Sequence, residues 1–191
     1  MLCETPVVSA SFNRDDSASI LGSADTGQPF EILQGIWGVT KGRAYASSGT
    51  TAIAVIETGL NHFKLFCNTK GTIVNVGIYA IPGVIFHVLD LTHYLYVRLY
   101  NNLIGLLINE GAGPTVLQES PYPCADNAEY VINVTSDKQY ITVGVNGVNI
   151  FTYDLAGKTG YKYYTKVGMR LGMSVSPAYI ATWDDLNVWR L

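Results

Sequence analysis

Charge is scarce in this chain: 14% of its 191 residues are charged, and the imbalance is small and acidic, a formal −3. That excludes a nucleic-acid binder, which needs a basic surface to displace counterions from phosphates. Cysteine is scarcer still. Cys3, Cys67 and Cys124 are widely spaced and form no C-x-x-C, so they read as free thiols of a protein made in a reducing cytosol. Long hydrophobic runs are missing. The longest, over residues 76–89, is broken by Pro82-Gly83 and falls short of the roughly 20 residues that cross a bilayer, so no membrane insertion is expected. The opening MLCETPVV has neither the basic start nor the apolar core of a secretory signal. Apolar residues at 3.6-residue spacing are absent too, which leaves room for at most one short helix.

Catalytic signatures are equally thin. There is no G-x-S-x-G elbow and no H-E-x-x-H, and His62, His87 and His93 lack metal-ligand spacing. Gly111-Ala112-Gly113 lacks the third glycine and following helix of a dinucleotide loop. Glycoside hydrolysis needs two carboxylates across a cleft, yet Glu31, Glu57, Glu110, Glu119 and Glu129 are scattered singly along the chain. The chain does not read as an enzyme.

What is present points to strands. Glycine (19) and tyrosine (13) are abundant and apolar residues reach 48%, as suits many strands joined by tight turns. Strands are expected at 52–57, 62–67, 73–80, three over 84–109, then 130–135, 140–145, 148–153, 167–173 and 180–191. Residues 12–32 and 120–127 read as loop, and Asn146-Gly147 as a type I′ hairpin turn. Such spacing gives an all-β, two-sheet antiparallel sandwich, one domain over 1–191.

The stretch 84–109 organises the rest. In its middle strand Leu95, Val97 and Leu99 alternate with Tyr94, Tyr96, Arg98 and Tyr100, and a strand turns successive side chains to opposite faces. One face is aliphatic and needs a second sheet to cover it. The other, with His87 on the neighbouring strand, offers flat rings and polar groups to a carbohydrate: Tyr94, Tyr96, Arg98, Tyr100 and His87 are the candidate sugar site. The plainer alternative is that these aromatics fill an outer face covered by a loop or by another subunit.

Carboxylates cluster toward the ends. Asp15, Asp16 and Asp25 lie in the N-terminal loop, Asp184 and Asp185 near the C-terminus. Pairing of the two ends would bring Asp16, Asp25, Asp184 and Asp185 together as oxygen ligands for calcium, although no D-x-D-x-D-G loop sets the geometry. The local alternative is that they bond turn backbone, with Arg14 as an ion-pair partner for Asp184 or Asp185. No other cofactor is implied. In GKTGYKYYTK, Lys158, Lys162 and Lys166 interleave with Tyr161, Tyr163 and Tyr164, which reads as a solvated loop or edge strand.

Phe12-Asn13-Arg14, Asp16-Ser17, Leu21-Gly22, Ala24 to Gln28, Trp37-Gly38, Gly42 and Ala44 resemble the FNRxDS…LGxADTGQxW…WG…GxA signature. That signature belongs to bacteriophage virion and bacterial surface modules of the concanavalin A-like lectin/glucanase superfamily. The middle (compared with GxxFR…NYxxVRL) and Trp183 to Val188 (compared with FDDFxV) are similar in register. Phe30 replaces the usual tryptophan and His87 the usual arginine. The resemblance implies a concanavalin A-like jelly roll and a virion setting after synthesis in the host cytoplasm. It does not imply catalysis, because most relatives of this kind are non-catalytic modules, and the E-x-D-x-x-E that glucanases of the superfamily carry is absent. Three functions are weighed: binding of host-surface glycans; a structural part in capsid decoration or tail, with other virion chains or a second copy of the chain as partners; and, least favoured, hydrolysis or lyase cleavage of a polysaccharide.

Overall fold

The computed structural model describes residues 5–46, 51–73, 80–137, 139–158, 160–172 and 181–191. Short strands come first: β1 (Val8–Ala10), β2 (Glu31–Gln34), and the hairpin β3 (Trp37–Thr40) with β4 (Arg43–Ala46). The buried β5 (Ala52–Glu57) and β6 (Phe63–Lys70) precede a meander of eight-residue strands: β7 (Ile81–Val88), β8 (His93–Tyr100), β9 (Leu103–Glu110) and β10 (Pro114–Pro121). Then follow β11 (Glu129–Asp137), β12 (Tyr140–Val145) and β13 (Val148–Asp154), a 3-10 turn at Tyr161–Tyr163, β14 (Lys166–Gly172) and β15 (Thr182–Arg190). Of the strand expected over 73–80, residues 74–79 lie outside the described residues.

The turns follow side-chain chemistry. Asn146-Gly147 between β12 and β13 takes positive φ at both positions, 52° and 79°. Asn101-Asn102 does the same between β8 and β9, at 52° and 61°. Both match the right-handed twist of a tight hairpin. Pro114 and Pro121 sit at the two ends of β10, an edge strand, where a missing N–H interrupts no ladder.

All strand pairings are antiparallel and form two sheets. One runs β10-β9-β8-β7-β14-β5-β2; the other runs β13-β12-β11-β6-β15-β4-β3, with β1 beside the second half of β15. The chain is therefore the two-sheet antiparallel β-sandwich that its strand spacing predicts. Between the sheets, Leu95, Val97 and Leu99 of β8 meet Leu65, Ile132, Val134 and Trp183 of the opposite sheet in one continuous core. Trp183 packs its ring 5.0 Å from that of Trp37. Its indole N–H donates to Gly83 O across the sandwich at 3.0 Å, so this large core side chain leaves no polar group unpaired.

Candidate binding site on the outer face of the seven-stranded sheet

The alternation in β8 is realised. Its aliphatic residues enter the core, while Tyr94 and Tyr96 join a second apolar cluster on the outer face with Ile53, Val55, Ile85, Val88 and Leu107. Tyr96 is only 1% exposed, and its ring lies 5.8 Å from that of Tyr94. The two tyrosines are therefore floor rather than an open platform.

Pairing register then builds a row across this face. Glu119 of β10 stands opposite Gly105 of β9, Gly105 opposite Arg98 of β8, Arg98 opposite Gly83 of β7, and Gly83 opposite Arg170 of β14. Residues directly opposite share a face, so Gly83 is a gap in the row between two arginines two strand spacings (about 10 Å) apart. The gap is enforced, because a Cβ there would lie 2.7 Å from Val97 O. Gly105 serves the other side. Glu119 lies over it, 3.0 Å from where a Cβ would be, and reaches Arg98 at 3.8 Å.

The result is a trough of about 530 Å³, walled by Tyr100, Pro114 and Val116 and floored by Tyr96 and Leu107, with Arg98 and Arg170 along its length. Arg98 lies over the Tyr100 ring at 5.1 Å, and Arg170 over the Tyr96 ring at 4.2 Å. Arg170 is only 7% exposed, and among the described residues it forms no ion pair. The Nε–H groups of both arginines are buried and find no acceptor among the described residues. Burial pushes the Tyr96 phenol up, and the two guanidinium charges only partly offset it, so the ring keeps its proton.

His87 corrects the sequence reading. Strict alternation would put it beside the tyrosines, but β7 carries a bulge there: Phe86 pairs with Val167 and Val88 with Lys166, leaving His87 unopposed at φ 50°. The imidazole consequently points between the sheets, fully buried, against Phe63 and Phe86. Tyr164 O lies 2.9 Å from Nδ1, so that nitrogen carries the proton, and Nε2 accepts from the Ser136 hydroxyl at 2.7 Å. Burial lowers its pKa to about 4, so the ring is neutral and has no contact with the trough.

The four aspartates are not brought together either. Asp16 accepts from the Lys41 N–H at 2.8 Å, and Asp25 from the Ser11 N–H at 2.8 Å with Arg14 at 3.9 Å. Asp184 accepts from the Asp185 N–H at 2.9 Å, while Asp185 sits at φ 49° in a bulge of β15. Among the described residues no group of three or more His, Cys, Asp or Glu could hold a metal ion, so the calcium expectation at Asp16, Asp25, Asp184 and Asp185 is set aside. The ion pair expected between Arg14 and Asp184 or Asp185 belongs instead to Arg43, which reaches Glu129 at 3.0 Å and Asp184 at 3.8 Å.

Arg170, Glu119 and the two glycines are the site residues that sequence reasoning passed over. One signal was available for Arg170: Val167, Met169 and Leu171 enter the core, so Gly168, Arg170 and Gly172 must face outward. An arginine between two glycines on an outer face has no neighbouring side chain along its own strand. The lysine–tyrosine loop lies elsewhere. Tyr161 donates to Asn109 O at 2.6 Å, Lys158 pairs with Glu110, and Lys166 pairs with Glu31 at 2.6 Å.

No protein-family model matches the chain, and no curated protein sequence does. Solved structures do. The carbohydrate-binding module CBM66 from Bacillus subtilis superposes with a TM-score of 0.65 at 11% identity, over 83% of this chain and 94% of that one. The exoplasmic/lumenal domain of VIP36, in a form bound to Ca²⁺ and Man3GlcNAc, superposes with a TM-score of 0.60 at 12% identity, over 86% and 85%. The Caenorhabditis elegans galectin LEC-6 gives 0.51 at 11% identity, over 71% and 89%. At such identities the likeness is one of fold: the chain has the β-sandwich of lectins and carbohydrate-binding modules.

Proposed function

We propose that this protein is a non-catalytic, lectin-like module of a bacteriophage virion, one domain over residues 1–191, that docks host-surface glycans in the outer trough. The observation that carries the reading is the trough itself. It combines a flat ring (Tyr100) with guanidinium donors (Arg98, Arg170) on a rigid sheet, the mix of apolar surface and few convergent polar groups that a small-ligand site needs. Glu119 is the one carboxylate beside it among the described residues, and it is held by Arg98, which supports binding without hydrolysis because glycosidases need two acids. Tyr94 contributes by packing under Tyr96, and His87 by fixing the interior beneath the sheet. Support for the virion setting, and for other virion chains as further partners, comes from the N-terminal signature of Phe12 to Gln28.

The test is an array of host-surface polysaccharides probed with the wild-type protein, Tyr100→Ala and Arg98→Ala. Retention of at least one glycan, weakened about tenfold or more by both substitutions, is expected. No retained glycan, or both variants binding like wild type, contradicts the proposal. Proteomics of purified particles checks the setting, and light scattering shows whether a second copy covers the face.

A further inference from the structure

We propose that the trough selects glycans bearing a carboxylate, such as uronic or sialic acid residues, and that Arg170 is the residue that seats it. This rests on the glycan-binding reading above and adds the ligand's chemistry.

The argument is one of uncompensated charge. Arg170 is 93% removed from solvent, yet no carboxylate pairs with it among the described residues. A desolvated guanidinium without an anion is costly, and proteins ordinarily provide the partner. The acid in the same row, Glu119, is engaged by Arg98 on the far side of Gly105. The row thus carries two guanidinium groups and a single carboxylate, held by Arg98, which leaves Arg170 as uncompensated positive charge on a protein whose overall charge is −3. The Tyr96 ring under Arg170 supplies a face that attracts the cation without neutralising it.

Shape agrees with charge. Gly83 leaves the row open between the two arginines, and Gly172 leaves the space beside Arg170 Nη1, where a Cβ would approach to 3.1 Å. A planar carboxylate entering the trough between Tyr100 and Arg170 would meet the guanidinium edge that favours bidentate pairing. The sugar ring that carries it would lie toward Tyr100. The volume, about 530 Å³, falls within the range of roughly 300–1,000 Å³ typical of small-ligand sites.

The experiment presents uronate-containing polysaccharides and sialyllactose beside their carboxyl-reduced or asialo counterparts, with a sulfated neutral glycan as a further arm. Wild-type protein is expected to bind an acidic member about 10- to 100-fold more tightly than its neutral counterpart and than the sulfated glycan, with affinity falling as sodium chloride rises. Arg170→Met should reduce acidic binding to the neutral level while still unfolding in one cooperative transition, and Arg170→Lys should recover part of it. Equal binding of acidic and neutral members, or preference for the sulfated arm, overturns this inference and leaves glycan recognition standing. No binding in any arm overturns both. If Arg170→Met does not fold, the paired glycans on wild type and their salt dependence decide the matter.

Discussion

The guanidinium of Arg170 lies over the ring of Tyr96, 4.2 Å from its centroid, although the two residues come from strands that do not touch. β7 separates them, and it does so with Gly83 in the arginine's row, so a long side chain can lean across a strand that presents nothing to stop it.

That arrangement makes a stability prediction separate from binding. A desolvated cation–π contact returns about 2 kcal/mol, while an unpaired buried guanidinium costs several. Arg170→Met, which keeps volume without charge, is therefore expected to destabilise by less than about 1 kcal/mol or to stabilise. Denaturant unfolding measures it, and a loss above about 2 kcal/mol would show that the arginine is held by interactions stronger than the ring.

Gly83→Ala should behave in the opposite way. Its Cβ would press on Val97 O from 2.7 Å, and backbone in the middle of a sheet cannot retreat cheaply. A loss of about 1–3 kcal/mol is expected, together with a blocked trough. A variant as stable as wild type would mean that the strands separate more easily than the pairing register suggests.

His87 gives the fold a pH dependence of known sign. Its pKa falls from about 6.5 when unfolded to about 4 when folded, so the unfolded chain binds the extra proton between those values. The stabilisation is fully present above pH 6.5 and is lost as pH falls toward 4, in total on the order of 3 kcal/mol. Unfolding midpoints across that window measure it. The same series on His87→Leu should start lower, because Tyr164 O and the Ser136 hydroxyl lose their partner, and should lack the His87 share of the slope. An unchanged slope in the variant would assign the effect to other groups.

The outer face and its row of side chains were legible in part. Alternation in β8 placed Leu95, Val97 and Leu99 inside and Arg98 and Tyr100 outside, because a half-buried strand has a period of two. Alternation failed at His87, since a bulge adds one residue and sends Phe86 and His87 to the same side; nothing in IFHV announces a bulge. The carboxylates misled for a different reason. Proximity of the termini is a sheet property, but Asp16, Asp25 and Asp184 each accept from a backbone N–H of their own rather than turning toward one another. Alternation in β14 could have turned Arg170 outward, but its neighbours were out of reach because they are set by strand order: β14 slots between β7 and β5, and a single sequence does not state that order.

Thiol chemistry should separate two of the cysteines. Cys67 is fully buried, and desolvation, with Asp184 close by, pushes its thiol far up, so it should resist alkylation until the protein unfolds. Cys124 is half-buried with its thiol near Tyr122 O and should label slowly in the native state. Peptide-resolved mass spectrometry distinguishes them; native labelling of Cys67 ahead of Cys124 would contradict the packing of β6 against β15.

The most direct measurement is a nitrogen–proton NMR titration that resolves arginine Nε–H signals, using a glycan retained on the array. Binding in the trough predicts that Arg98 and Arg170 Nε–H resonances and the amides of β7, β8 and β14 shift together and saturate at one affinity. Shifts confined to the other sheet or to the lysine–tyrosine loop, with both arginine signals unmoved, would contradict it.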